Sequence, residues 1–172
     1  MITRGRFLIF WIGGLVAFAV ALLLHLPLTI ETVPAGIVDH QTAQTAARVD
    51  FIQREWADAG VYRNAFTAMV SDCVFIVLYS LGSVLAGLYF LRAKHRSLRI
   101  IGVATLVAAI VFFASDMTET VLQIQQLVAA KGDDGKAAMA AAMHIPKLAS
   151  WIACFILPLG GLILERGKRR AD

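Results

Sequence analysis

The sequence predicts an all-α membrane protein, a bundle of four transmembrane helices with both termini inside and a short amphipathic helix in its first outer loop. Hydrophobic residues make up 59% of the 172 residues and charged residues only 16%, and the mean hydropathy is +0.72. These values lie outside the range of soluble domains. Four apolar runs each supply the roughly 20 helical residues that cross a bilayer core. We therefore expect residues 1–172 to form a single membrane domain.

The four predicted spans cover residues 7–30, 65–91, 100–127 and 138–164, and residues 31–64 form the first outer loop. The first run follows Arg4 and Arg6, as the apolar region of a signal peptide would. Its apolar region is longer than that of a signal peptide, however, and no A-x-A cleavage motif directly follows it. We therefore interpret it as a retained first helix.

The distribution of lysine and arginine predicts the orientation of the spans. Ten basic residues flank the runs at ends that must share one side of the membrane: Arg4, Arg6, Arg92, Lys94, Arg96, Arg99, Arg166, Lys168, Arg169 and Arg170. Basic residues are enriched on the cytoplasmic side. We therefore predict a multi-pass protein of the bacterial inner membrane with both termini in the cytoplasm. The net charge of +4 comes from these flanking blocks, so the lipid bilayer rather than nucleic acid is the expected partner.

A helical period of apolar residues predicts the amphipathic helix in the first outer loop. The apolar residues at this spacing are Val49, Ile52, Trp56 and Ala59. Asp39 is the expected N-cap residue and Gly60 the expected stop. A short helix on the outer surface, with Trp56 facing the bilayer or the bundle, fits this pattern.

The other connections and the helix contacts are predicted from polar and small residues. Residues 131–136 contain two glycines and two aspartates and indicate a solvated turn, and His40 and His95 are expected to be exposed to solvent. Small residues at four-residue spacing allow helices to approach closely. On the first two spans these residues are Gly13, Ala17, Ala21, Ser83 and Gly87.

Six ionisable residues inside the runs are predicted to lie at one depth: His25, Asp72, Asp116, Glu119, His144 and Lys147. At about 1.5 Å per residue they lie roughly 24 to 30 Å from the cytoplasmic end of their helices. In a core about 30 Å thick this is one layer near the outer boundary. Because an unpaired charge facing lipid is costly, we expect Lys147 to point inward among the three acids. One cation facing three acids leaves a carboxylate that must take up a proton or bind something positive.

This polar layer has two functional interpretations. In the first, a pocket open to the outer side binds a small cationic or polar ligand, and the loop helix around Trp56 covers it. The candidate residues are Asp72, Asp116, Glu119, His144, Lys147 and Tyr79. In the second, the charges only hold the helices together, and the protein is an accessory or structural subunit of a larger membrane complex.

Two histidines inside the predicted spans are candidate ligands for a cofactor or a metal ion. His25 and His144 lie at matching depth on the first and last spans, which meets the geometric minimum for bis-histidine haem ligation. His144 with a nearby acid could also ligate a metal ion. Two histidines can meet this condition by chance, so we predict neither haem nor metal. The sequence contains no G-x-S-x-G or H-E-x-x-H motif. An acid/base enzyme using Asp72, Glu119, His144 and Tyr79 is the third alternative, and we expect a non-enzymatic protein.

Four short segments stand out along the chain. They are Asp39-His40-Gln41 in the outer loop, Ser71-Asp72-Cys73-Val74-Phe75 with Tyr79 on the second span, Ser115-Asp116-Met117-Thr118-Glu119 on the third, and Pro146-Lys147 on the fourth. Together they resemble a group of small four-span bacterial inner-membrane proteins, and the resemblance covers most of the chain. It implies a four-helix membrane fold and supports treating the acids and the lysine as one set. It implies no reaction, cofactor or substrate.

Overall fold

The computed structural model describes residues 3–168, and within that range the chain forms six α-helices. They are α1 (Arg4–His25), α2 (Ile37–Gln41), α3 (Ala46–Asp58), α4 (Tyr62–Leu91), α5 (Arg96–Ala129) and α6 (Asp134–Lys168), with a 3₁₀ turn at Leu26–Leu28 after α1. Helices α1, α4, α5 and α6 are long and apolar enough to span a membrane. The predicted all-helical fold with four candidate spans is thereby confirmed. Arg169 and Arg170 lie outside the described residues.

The long helices begin and end at different residues from the apolar runs. Helix α1 stops at His25, before the predicted end, because Pro27 has no N–H with which to continue the helical hydrogen bonds. Helix α6 extends beyond residues 138–164 at both ends. Hydropathy marks only the apolar part of such a helix, whereas its backbone hydrogen bonds continue into the polar residues on either side.

The four long helices pack in chain order. Helix α1 packs along α4, α4 along α5, and α5 along α6. The rings of Phe7 and Phe90 are 6.0 Å apart, and the Tyr89 hydroxyl donates to a carboxylate oxygen of Glu165 at 2.7 Å. These contacts join the start of α1 to the ends of α4 and α6. We call this the basic end, after its flanking residues, and the opposite end, which α2 and α3 cover, the capped end.

The contact between α1 and α4 is close enough to bring their backbones together. A Cβ atom on Gly14 would lie 2.6 Å from Cα of Tyr79, and one on Gly82 would collide with the backbone of Trp11. Gly13, the glycine that the four-residue spacing selected, faces open space instead. Adjacent residues on a helix point in directions about 100° apart, so the spacing alone could not decide which glycine meets α4.

We therefore predict that Gly82→Ala destabilises the protein by about 1 to 3 kcal/mol, because the added methyl group overpacks the contact between α1 and α4. The measurement is the free energy of unfolding in mixed detergent micelles. Gly13→Ala is the matched control and should leave that free energy unchanged or slightly raised. Equal effects of the two substitutions would contradict the close contact.

A second apolar core fills the capped end. Its largest buried members include Leu28, Val33, Ile52, Trp56, Met69 and Leu127. Trp56 is fully buried and donates from Nε1 to the carbonyl oxygen of Leu28 at 3.0 Å, so its side chain faces the bundle. Helix α3 is capped by Thr45, whose hydroxyl accepts from Arg48 N. The predicted cap, Asp39, lies inside α2 instead, because a break at residues 42–45 divides the loop into two helices.

The turn between α5 and α6 is docked onto α3, although most of its residues remain exposed to solvent, as the sequence predicts. Gly132 N donates to Asp50 Oδ1 at 2.5 Å, and Ala46 N donates to Asp134 Oδ1 at 2.7 Å. The second bond places a carboxylate on one of the free amides of the first turn of α3. Two connections that are distant in sequence are thus joined.

The expectation of an exposed His40 was wrong. Only 2% of His40 is accessible, its ring stacks on Trp56 at a centroid distance of 5.4 Å, and its Nε2 lies 3.4 Å from Gln53 Nε2. Burial lowers the pKa of His40 from 6.5 to about 4. His40 therefore stays neutral in the folded capped end and packs as an aromatic ring.

From this pKa we predict that acid weakens the capped end. When the capped end is open, His40 binds a proton below about pH 6.5. When the capped end is folded, His40 binds a proton only near pH 4. The free energy of cap opening should therefore be constant above pH 6.5. Below that pH it should fall by up to about 1.4 kcal/mol per pH unit, levelling off near pH 4.

Amide hydrogen exchange of α2 and α3, corrected for intrinsic exchange rates, measures this opening. His40→Phe should remove the pH dependence, and His95→Gln, in the loop between α4 and α5, is the control that should retain it. An opening free energy that does not change between pH 7 and pH 4.5 would contradict the linkage.

Candidate functional site

A cavity of about 280 Å³ lies among α1, α4, α5 and α6 and is bounded by α2 at the capped end. Its ionisable lining residues are His25, Asp72, Asp116, His144 and Lys147. Its aromatic lining residues are Phe18, Phe75, Phe112 and Trp151. The four long helices therefore bring charged groups and aromatic rings to one space inside the candidate membrane segments.

Lys147 on α6 contacts two carboxylates of α5. Its Nζ donates to Glu119 Oε1 at 2.5 Å and lies 3.8 Å from Asp116 Oδ1. Asp116 and Glu119 are three residues apart on one helix face, so both reach the same ammonium group. The Glu119 side chain is 0% accessible. This charged contact fixes the register between α5 and α6.

Asp116 is the less well satisfied of the two carboxylates. A separation of 3.8 Å from Lys147 is an ion pair but exceeds a hydrogen-bond distance. Asp116 lines the cavity, whereas Glu119 lies behind it with Oε2 buried and without a hydrogen-bond partner among the described residues. The negative charge that Lys147 satisfies least therefore faces the cavity.

Asp72 pairs with His25 rather than with Lys147. His25 Nε2 and Asp72 Oδ2 are 2.8 Å apart, which links α1 to α4. The sequence analysis grouped Asp72 with the lysine and placed His25 in the same layer without a partner, and it predicted neither haem nor metal at His25. The matching depth of the two residues was the signal that could have paired them. The neighbours of α1, however, could not be read from the chain.

His144 lines the cavity together with His25. The Nδ1 atoms of both rings are buried and have no hydrogen-bond partner among the described residues. Because Asp72 occupies Nε2 of His25, only Nδ1 of that ring is left for another ligand. Within residues 3–168, no three histidine, cysteine or acidic side chains are grouped closely enough to hold a metal ion.

Tyr79 lies outside the cavity lining, one turn nearer the basic end than Phe75. It is fully buried between aromatic rings, with its centroid 5.5 Å from Phe112 and 6.4 Å from Trp11. Its hydroxyl lies 3.5 Å from the carbonyl oxygen of Trp151. In this position Tyr79 fills the aromatic core beneath the cavity.

The cover of the cavity is α2 and not the helix around Trp56. Ile37, Val38 and Gln41 of α2 line the cavity, whereas α3 contributes no lining residue. Helix α3 packs behind α2, where Trp56 stacks on His40. The sequence predicted the helix around Trp56 as the cover because the helical period of apolar residues is clear in α3. Helix α2 is too short to show such a period.

We predict that Lys147→Met destabilises the protein by about 3 kcal/mol, since it leaves a buried, unpaired Glu119 carboxylate. Adding Glu119→Gln should restore part of that loss and give a coupling energy above about 1 kcal/mol. The four proteins of this double-mutant cycle are compared by unfolding in mixed detergent micelles.

The control cycle uses Arg48 and Asp39, which pair at 3.2 Å on the surface of the capped end. A pair exposed in this way is expected to show a coupling energy of only about 0.2 to 1 kcal/mol. If the two cycles give the same value, the buried contact does not fix the register of α5 and α6.

Comparison with protein-family models, with curated proteins and with solved structures found no significant match.

Proposed function

We propose that the chain is a non-enzymatic multi-pass protein of the bacterial inner membrane that binds a small cationic or polar ligand in the cavity at its capped end. The observation that carries this proposal is Asp116. Its carboxylate borders the cavity, and its nearest cation, Lys147, donates to Glu119 instead. A cationic ligand in the cavity would satisfy Asp116 where the protein does so only partly.

The balance of charge around the cavity favours a cation. Three carboxylates, those of Asp72, Asp116 and Glu119, lie with the single ammonium group of Lys147 in this layer. Lys147 donates to Glu119 and His25 lies against Asp72, so Asp116 is the carboxylate that these two groups satisfy least. No cofactor is needed to explain the arrangement.

The direction of the cavity follows from the orientation that we propose for the bundle. Basic residues cluster at the basic end, which the positive-inside rule assigns to the cytoplasm together with both termini. The cavity then lies near the outer face. Beneath it the core is filled by Trp11, Tyr79, Phe90 and Phe112. A core filled by aromatic side chains offers no polar path for ions across the membrane. It therefore favours a binding site that opens on one side.

The alternative is an accessory or structural subunit of a larger membrane complex, with a charge cluster that serves only helix packing. Charges that serve packing alone are expected to pair fully and to leave no space. A cavity of about 280 Å³ beside an incompletely satisfied carboxylate therefore favours ligand binding. The exposed apolar faces of the four long helices fit lipid as well as partner helices, so they do not favour the subunit.

Binding of small ammonium ions to the purified protein in lipid nanodiscs tests this proposal. We expect saturable binding of ethylammonium or tetramethylammonium by calorimetry, and Asp116→Asn should weaken it at least tenfold. Asp58→Asn, at the exposed end of α3, is the charge-matched control and should bind as the unmodified protein does.

Native mass spectrometry of the protein released from nanodiscs distinguishes the two alternatives. A retained small molecule that is lost in Asp116→Asn supports the binding protein. Co-purification of another membrane protein at fixed stoichiometry, together with ammonium binding that Asp116→Asn leaves unchanged, would overturn the proposal in favour of the subunit.

A further inference from the structure

The contact between α1 and α6 differs from the other contacts between neighbouring long helices. It is made mainly by large aromatic side chains, with Trp11 stacked on Phe155 at 5.6 Å and Phe18 against Trp151 at 5.2 Å. Both helices line the cavity, on the capped side of the Phe18–Trp151 pair. Helices α1 and α6 do not pack along each other as the other neighbouring long helices do, and we call the space between them on the capped side of these rings the gap.

The two possible openings of the cavity differ in chemistry. Toward the capped end, α2 lies across the cavity, with its lining residue Val38 43% exposed, and it is held from behind by His40 on Trp56. Along the gap between α1 and α6 the rim is apolar and accessible. Leu22 is 50% exposed and Leu148 47% exposed, and both line the cavity. In a bilayer these two side chains face acyl chains, so the gap opens into lipid.

The inside of the cavity has two parts. One part carries the charged groups, with Asp116 as the carboxylate that Lys147 satisfies least. The other part is the wall formed by the four aromatic side chains, and Leu22 and Leu148 also line the cavity. An ammonium group is attracted both by the carboxylate and by the faces of aromatic rings. A hydrocarbon chain, in contrast, matches the wall and the rim.

The volume limits how much of a ligand the cavity holds. The cavity of about 280 Å³ is close to the lower end of the range of small-molecule sites, roughly 300 to 1,000 Å³. This is enough for a head group and the first few methylene groups of a chain. The rest of a longer chain would have to pass between Leu22 and Leu148 into the bilayer.

We infer that the ligand is an amphiphilic amine, with an ammonium head group at Asp116 and a single hydrocarbon chain that leaves between α1 and α6, and that it reaches the cavity from the bilayer. This inference rests on the proposed function, because it needs the cavity to bind a cation. It goes further in naming the class of ligand and the route.

Two probes with the same head group test the ligand class. Ethylammonium and dodecylammonium are titrated into the protein in lipid nanodiscs, and the partition of each probe into empty nanodiscs is subtracted. We expect dodecylammonium to bind with one-to-one stoichiometry and at least tenfold more tightly than ethylammonium. Asp116→Asn should weaken the binding of both probes at least tenfold, because both place an ammonium group at the same carboxylate.

Variants at the rim test the route independently. Leu148→Trp and Leu22→Trp, made separately, should each weaken dodecylammonium binding at least fivefold, because the larger side chain fills the gap that the hydrocarbon chain occupies. Ile163→Trp, at a more exposed position near the basic end of α6, is the control and should have no effect. The chain-length comparison needs no variant, so it decides the ligand class even if a rim variant fails to fold.

The outcomes separate this inference from the proposed function. Equal affinity for the two probes, with binding of both lost in Asp116→Asn, would overturn the amphiphilic ligand and leave the cation site standing. Rim variants that bind dodecylammonium as Ile163→Trp does would overturn the route through the gap. Binding of neither probe would overturn both the inference and the proposed function.

Discussion

The contact of Lys147 with Glu119 and Asp116 is the constraint on which the capped half of the bundle depends. A charge inside a membrane segment is costly unless it meets a partner, so α5 and α6 must pack with these side chains at the same height. The pair at 2.5 Å leaves Asp116 at 3.8 Å from the same ammonium group. The ammonium group lies closer to Glu119 than to Asp116, and this unequal sharing leaves the Asp116 carboxylate facing the cavity.

The layers on either side of this contact explain why the cavity persists. Toward the basic end, aromatic rings from all four long helices fill the core around Tyr79 and Phe112. Toward the capped end, α2 rests on α3 through the ring pair of His40 and Trp56. The rings of Phe18 and Trp151 hold α1 away from α6. Because these two rings are large, space is left between α1 and α6 about one turn nearer the capped end, where the side chains are smaller.

Much of the fold could be predicted because a membrane places strong demands on sequence. Length and hydropathy identified four helices that are long and apolar enough to span, and a depth count along each helix drew attention to Asp72, Asp116 and Lys147. The pairing of Asp72 with His25 could not be predicted, since it depends on which helix lies beside α4. Neither could the burial of His40, because a lone histidine in a polar loop shows no period from which its ring stack on Trp56 could be inferred.

The docking of the turn between α5 and α6 onto α3 has a consequence for biosynthesis. Asp50 and Ala46 are made more than eighty residues before their partners, Gly132 and Asp134. Glu119 likewise leaves the ribosome 28 residues ahead of Lys147. Until the last helix has been made, the chain therefore holds an unpaired acid and an unanchored loop. Completion of the final helix satisfies both together, so a chain that stopped before α6 would leave the Glu119 carboxylate and the Asp50 side chain without these partners.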